Sequence, residues 1–312
     1  MDRNLALEFV RVTEAAAIAA ARWMGRGDKH AADGAAVDAM RRRFSDIDFS
    51  GTIVIGEGEK DEAPELYVGE KLGRARGPEF DIAVDPLECT NSVAHGLPNA
   101  ITVIATGPKG SLFRAPDMYM EKIAVGPIAK GAIDLRATTH ENIAAVASRL
   151  GKDVSEMVIL LLDRPRHELL IKEIRSLGAR VRLISDGDVA GAIAPSIPES
   201  GIDMLLGIGA SAEAVLAATA IKCLGGEMQV RLKPKDEGQS ERLRAMGIVD
   251  IDKTLTMDDL AAGSDLTFTA TGVIDGPLLR GVRYIKEYCV THSVVMRVRT
   301  GTVRFLETQH RI

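Results

Sequence analysis

Apolar residues at Leu5, Phe9, Val12, Ala16, Ala19 and Trp23 recur at helical spacing behind Asn4, a residue type suited to capping. This predicts a first helix, ended by Gly25 and Gly27. A second helix is expected to open in the stretch 27–34 and run to about Phe44. Short apolar runs then predict strands at Thr52–Ile55, at Ile82–Val84 (stopped by Pro86), at Asn99–Thr106 and at Met118–Val125. From about residue 151 the rhythm changes to alternation. Strands are expected at Met157–Leu162, Arg180–Ile184 and Met204–Ile208. Helices are expected at His167–Leu177, from Val189, and at Ala214–Leu224, after a helix at Glu141–Leu150. Further strands follow near Met228–Leu232, Asp265–Ala270, Val290–Arg299 and Thr302–Leu306, with Gly301 marking a hairpin. The alternation predicts an α/β fold, with helices on the faces of a sheet. The change of rhythm puts the expected domain boundary near 151–156, giving domains 1–153 and 154–312.

At 312 residues the chain has room for two domains or one large one. Aromatic residues make up only 4%, so the core must be built from Ala, Val, Ile and Leu. A net charge of −5 without a basic stripe argues against nucleic-acid binding, and no apolar run reaches membrane-spanning length. Cys89, Cys223 and Cys289 are an odd number without metal-binding spacing, which suits free thiols in a cytoplasmic protein.

The chemistry collects at predicted strand ends. Asp85-Pro86-Leu87-Glu88-Cys89-Thr90 sets two carboxylates and a hydroxyl on a turn, a donor set for Mg²⁺ or Mn²⁺. Taken alone it equally describes an acidic surface turn. Gly56-Glu57-Gly58-Glu59-Lys60-Asp61-Glu62 follows another strand and adds more acid, enough for two or more cations. Lys29 and Asp33 are four residues apart, one helix face, where an ordinary ion pair is the plain alternative. Arg164-Pro165-Arg166 suits a phosphate, which guanidinium groups grip bidentately. Ser185-Asp186-Gly187-Asp188 and Ala210-Ser211-Ala212-Glu213 close the next two strands, and Ser211 lies near a helix N-terminus, where anions are favoured. Tyr119 reads as strand packing. His140, His167, His292 and His310 show no evident partners and read as structural, and His95 is given no role.

These motifs, with Leu183–Val189 and Lys222-Cys223-Leu224-Gly225-Gly226-Glu227-Met228-Gln229, occur in order from about residue 1 to 310. The chain resembles the class II fructose-1,6-bisphosphatases, the GlpX type, among the lithium-sensitive sugar and inositol phosphatases. The resemblance implies a layered αβαβα sandwich of the sugar phosphatase type. It implies an N-terminal metal-binding catalytic domain and a C-terminal sugar-phosphate-binding domain. The implied reaction, in gluconeogenesis, removes the 1-phosphate of fructose 1,6-bisphosphate and leaves fructose 6-phosphate. Sedoheptulose 1,7-bisphosphate is an additional candidate substrate. A non-catalytic sugar-phosphate sensor and an inositol monophosphatase are the alternatives.

By the same resemblance, Asp33 and Glu57 ligate one divalent cation, Mn²⁺ or Mg²⁺, and Asp85, Glu88 and Glu213 a second. Thr90, with Asp61 and Glu59, orients and activates water, and Lys29 is a catalytic lysine. The implied substrate-binding positions are Glu88, Cys89, Thr90, Tyr119, Arg164, Pro165, Arg166, Asp186, Gly187, Asp188 and Ala210. A homo-oligomer is expected, with a small sugar bisphosphate as its partner and neither nucleic acid nor membrane. The sequence departs from the family pattern at Cys89, where the family has glycine. Either that residue needs positive φ, and the thiol brings strain, or the thiol narrows the pocket. A second departure is Ala210–Ala214, where Glu213 is kept but two glycines and a proline are lost.

Overall fold

The computed structural model describes residues 3–58 and 65–311. In chain order its elements begin α1 (Arg3–Ala21), α2 (Lys29–Phe44), β1 (Ser50–Ile55), β2 (Lys71–Leu72), β3 (Glu79–Glu88), α3 (Thr90–His95), β4 (Ile101–Pro108) and β5 (Tyr119–Val125). They continue with α4 (Thr139–Leu150), β6 (Val158–Leu162), α5 (Glu168–Ser176), β7 (Arg180–Ile184), α6 (Asp188–Ile193), β8 (Met204–Ala210), α7 (Ser211–Leu224) and β9 (Glu227–Lys233). The last are α8 (Glu237–Ala245), β10 (Leu255–Thr256), α9 (Met257–Leu260), β11 (Thr267–Gly272), β12 (Arg283–Ile285), β13 (Tyr288–Arg297) and β14 (Thr302–Arg311). The architecture is mixed α/β with two mixed sheets, consistent with an α/β sandwich.

The chain forms two compact units, Met1–Arg114 with Gly263–Ile312, and Ala115–Ala262. The boundary expected near 153 falls inside the second unit. Strand pairing is the reason: β5 is hydrogen-bonded along its whole length to β8 and β9, while β11 returns to pair with β4.

In the first unit the strand order is β12-β13-β11-β4-β3-β1-β2, with β14 beside β13. Only β1 and β3 run parallel; the other pairs are antiparallel. Helices α1 and α2 pack on each other and on Ile53, Ile82, Val84 and Ile104 of the sheet. Phe9, Phe44 and Phe49 are fully buried there, with Phe9 edge-on to both others at centroid separations of 6.2 and 5.5 Å. Asp28 caps α2 by accepting the Ala31 N–H at 2.9 Å.

The order in the second unit is β10-β9-β5-β8-β6-β7, with β6 parallel to β7 and β8. Side chains alternate across a strand, so this sheet has two distinct faces. Ile123, Val125, Ile159, Leu161, Met204 and Leu206 pack with α4 and α5. The intervening position Lys122 instead reaches Asp188 at the start of α6. Helix α4 opens with a capping box between Thr138 and Glu141.

Two expectations are corrected. Helix α1 starts at Arg3, so Asn4 lies within it rather than before it. Pro86 does not stop its strand: β3 continues to Glu88, and its register against β4 slips between Asp85 and Glu88, where the proline's missing N–H does no harm. Strands β4 and β5, successive in the chain, join different sheets. Helix α8 was not anticipated because its sequence, EGQSERLRA, lacks an apolar stripe.

Candidate active site

In the first unit, β1 and β3 lie side by side in parallel with Ile55 opposite Ala83. The residues just beyond, Glu57 and Asp85, therefore come off the same end of neighbouring strands. The Leu87 N–H donates to Asp85 Oδ1 at 3.0 Å, a side-chain bond that spans Pro86 where the register slips. Glu88 is buried, and Cys89 follows with φ 73° and ψ 48°, in the left-handed region. Thr90 then opens α3. Helix α2 is tied to α3 at its entry: the Gly25 and Gly27 N–H groups donate to Val93 O and Ala94 O at 2.8 and 2.9 Å. Lys29 is the first residue of α2 and is exposed. It shares a face with Asp33, but the two form no ion pair.

Asp33 and Glu57 are coupled. Burial raises the Asp33 carboxyl above its ordinary range, with nearby His30 pulling the other way. Glu57 is pushed up to about 7, first by burial and then by the negative charge of Asp33. Glu59 and Asp61 lie outside the described residues. Among the described residues, no group of three His, Cys, Asp or Glu side chains is gathered into a metal cage. Asp33 and Glu57 are thus a partial donor set, and the burial and neighbouring negative charge that raise Glu57 are what a bound cation would offset. Of the residues expected to share a second cation, Asp85 and Glu88 belong to the first unit and Glu213 to the second.

In the second unit, the parallel strands β6 and β7 deliver 164–166 and 186–188 to one end of the sheet. The structure binds two of the expected residues to each other: Arg164 Nη2 donates to Asp186 Oδ1 at 2.6 Å. Pro165 starts a single 3₁₀ turn, and Gly187 takes φ 99°, a conformation that disfavours any side chain. Tyr119 and Ala210 are direct cross-strand partners. The Arg166 guanidinium lies 4.6 Å from the Tyr119 ring centre and donates to Ile208 O at 2.7 and 3.1 Å.

Over the opposite face, Lys122 is 2% exposed and ion-paired with Asp188. Nothing in the run Met-Tyr-Met-Glu-Lys-Ile-Ala-Val distinguishes Lys122 except a charge amid apolar neighbours, which was the available signal. Gly209 lies so close to this pair that a Cβ there would come within 1.9 Å of Asp188 Oδ2. Glu213, in the first turn of α7, has a buried Oε2 that accepts no hydrogen bond among the described residues. Burial raises its carboxyl, Lys122 opposes the rise, and Asp188 adds to it.

Two readings change. Ser211 is buried and its hydroxyl donates to Pro116 O, so it holds the chain rather than an anion. His167 has two partners: Nδ1 meets Leu162 O at 2.7 Å and Nε2 meets the Ile208 N–H at 2.8 Å. Nε2 must accept there, so Nδ1 carries the proton. Burial lowers the pKa of His167, consistent with a neutral ring. It clamps β8 and so indirectly holds the carbonyl that Arg166 uses.

A family model described as bacterial fructose-1,6-bisphosphatase, glpX-encoded, matches residues 3–310. The chain is 46% identical to the fructose-1,6-bisphosphatase class 2 of Haemophilus influenzae, an alignment covering 99% of this chain and 97% of that one. It is also 46% identical to the fructose-1,6-bisphosphatase 1 class 2 of Escherichia coli strain K12, covering 99% and 96%. The chain belongs to the class II fructose-1,6-bisphosphatase family. This is a family of metal-dependent phosphatases, which the coupled Asp33 and Glu57 suit chemically. No described helix of this family member is long and apolar enough to cross a membrane, and its three cysteines are buried and form no disulfide.

Two outcomes follow from this site. Without metal, Glu57 holds its proton more tightly folded than unfolded. Its stabilising contribution is complete below its ordinary value of 4.5 and is lost as pH rises through about 7. Denaturant unfolding in chelator will show wild type losing on the order of 3 kcal/mol relative to Glu57→Gln between about pH 5 and pH 8. A pH-independent difference refutes the raised Glu57 carboxyl. At Cys89 the left-handed backbone predicts that Cys89→Gly is more stable than Cys89→Ala by about 1 kcal/mol, because both lose the thiol and only glycine is unstrained. Equal stabilities would remove the strain.

Proposed function

We propose that this chain hydrolyses the 1-phosphate of fructose 1,6-bisphosphate, giving fructose 6-phosphate and inorganic phosphate. The observation that carries the reading is the match along almost the whole chain to proteins named class 2 fructose-1,6-bisphosphatases. The geometry supports it in two ways: a coupled carboxylate pair beyond β1, and an arginine over Tyr119 at the strand ends of the second unit.

Asp33 and Glu57 would hold one divalent cation, for which we favour Mn²⁺ or Mg²⁺. Asp85 and Glu88 offer further carboxylate oxygens, and Glu213 is the further ligand that the family resemblance implies. A cation held there supplies Lewis acidity toward the phosphate oxygens. Thr90 orients the attacking water through its hydroxyl, and Asp61, aided by Glu59, accepts the hydroxyl proton. The water oxygen bonds to phosphorus, the bond from phosphorus to the sugar oxygen breaks, and that oxygen takes a proton. Lys29 places positive charge beside the phosphate, where negative charge shifts during the transfer. Arg166 and Tyr119 bind the phosphate that is not cleaved. Arg164 is neutralised by Asp186, so its part is to fix that acid for sugar hydroxyls, with Gly187 and Asp188 beside it. Pro165 holds the two arginines apart. Cys89 and Ala210 approach the sugar through backbone groups. The protein works in the cytoplasm as a homo-oligomer.

The test is phosphate release from fructose 1,6-bisphosphate, sedoheptulose 1,7-bisphosphate, fructose 1-phosphate and inositol 1-phosphate, with Mn²⁺, Mg²⁺ or chelator. Release will be fastest from a ketose bisphosphate and will stop in chelator. Binding without release from any of the four would make the chain a sensor instead.

A further inference from the structure

Several cations of the second unit have their counter-charge within the chain. Arg164 is paired with Asp186 at 2.6 Å, Arg231 with Glu121 at 2.6 Å, and Lys122 with Asp188. Others are not paired in this way, and two of these share one aromatic ring. Arg166 and Lys235 each lie 4.6 Å from the centre of the same Tyr119 ring, and among the described residues neither has a carboxylate partner. Lys235 is exposed, on the short turn between β9 and α8, yet its backbone is fixed. Its N–H donates to Gln239 Oε1 at 2.8 Å, and Pro234 precedes it. The neighbouring acid Asp236 caps α8 by accepting the Gln239 N–H at 2.8 Å. Like charges gathered on one ring repel each other, and the ring quadrupole offsets only part of that. An anion with several acceptor oxygens satisfies both cations and the phenol together.

We propose that Lys235 is a further substrate-binding residue, which with Arg166 and Tyr119 grips the sugar phosphate that is not cleaved. This rests on the reading of the chain as a ketose bisphosphatase. Arg166 supplies a planar donor fixed by Ile208 O, while Lys235 supplies a point charge on a flexible stem. Lys235 therefore sets the preference for a doubly over a singly phosphorylated sugar.

Lys235→Met is the test variant, since it removes the charge of an exposed side chain and keeps a stem of similar length over Tyr119. Two readouts are taken: steady-state kinetics on fructose 1,6-bisphosphate and fructose 1-phosphate, and calorimetric binding of fructose 6-phosphate, which needs no turnover. In Lys235→Met, KM for the bisphosphate rises about tenfold with kcat little changed, and the preference over fructose 1-phosphate falls about tenfold. Fructose 6-phosphate binds about tenfold more weakly, and Lys235→Arg restores most of each loss. Values within twofold of wild type in both readouts overturn the assignment. If wild type releases no phosphate but Lys235→Met still weakens fructose 6-phosphate binding tenfold, the hydrolytic reading fails and Lys235 keeps its role.

Discussion

Carboxylates held together away from bulk water repel one another, and something positive must relieve them: a proton, a built-in side chain or a bound cation. The two units resolve this differently. In the second, Lys122 is carried into the sheet to meet Asp188, with Glu213 within its field. In the first, no lysine among the described residues is ion-paired with Asp33 or Glu57: Lys29, on the same helix face, forms no ion pair with Asp33. Glu57 is left with a proton affinity near neutral. On the proposed reading, a proton and a cation compete at that pair near neutral pH. Its neighbours in the fold, the parallel β1–β3 pairing and the lacing of α2 to α3, decide which acids come together.

Much of this was legible in the chain. The parallel strand ends carrying 164–166 and 186–188 follow from alternation, and α2 starts where Lys29 and Asp33 share a face. The boundary after Arg114 was not legible, because strand pairing between residues far apart leaves no local trace: nothing near 119–125 says that these residues join β8 and β9 rather than β4. Pro86 misled for a related reason. Proline ends a strand only where its N–H would be needed, and the register slip beside it removes that need.

Polar residues inside the second unit were the harder part to read. Lys122 and His167 look like incidental charges in apolar or loop sequence. Their roles appear only when Gly209 and the Ile208 backbone are seen against them. Arg164 and Arg166 read as an equivalent pair, yet one is neutralised by Asp186 and the other is stacked on Tyr119. Cys89 was legible as a departure, and the backbone resolves which kind. Its positive φ marks a position where glycine fits without strain, so the thiol is tolerated at a conformational cost.

The central claim is that the coupled Asp33 and Glu57 carboxylates seat a divalent cation in place of a proton. Calorimetric titration of Mn²⁺ into chelator-treated protein, in buffers of different ionisation enthalpy, counts the protons displaced. Because Glu57 titrates at about 7, close to one proton will be released per ion at about pH 6 and few at about pH 8. Binding that displaces no protons at the lower pH, and that is unchanged by Glu57→Gln, would contradict the account.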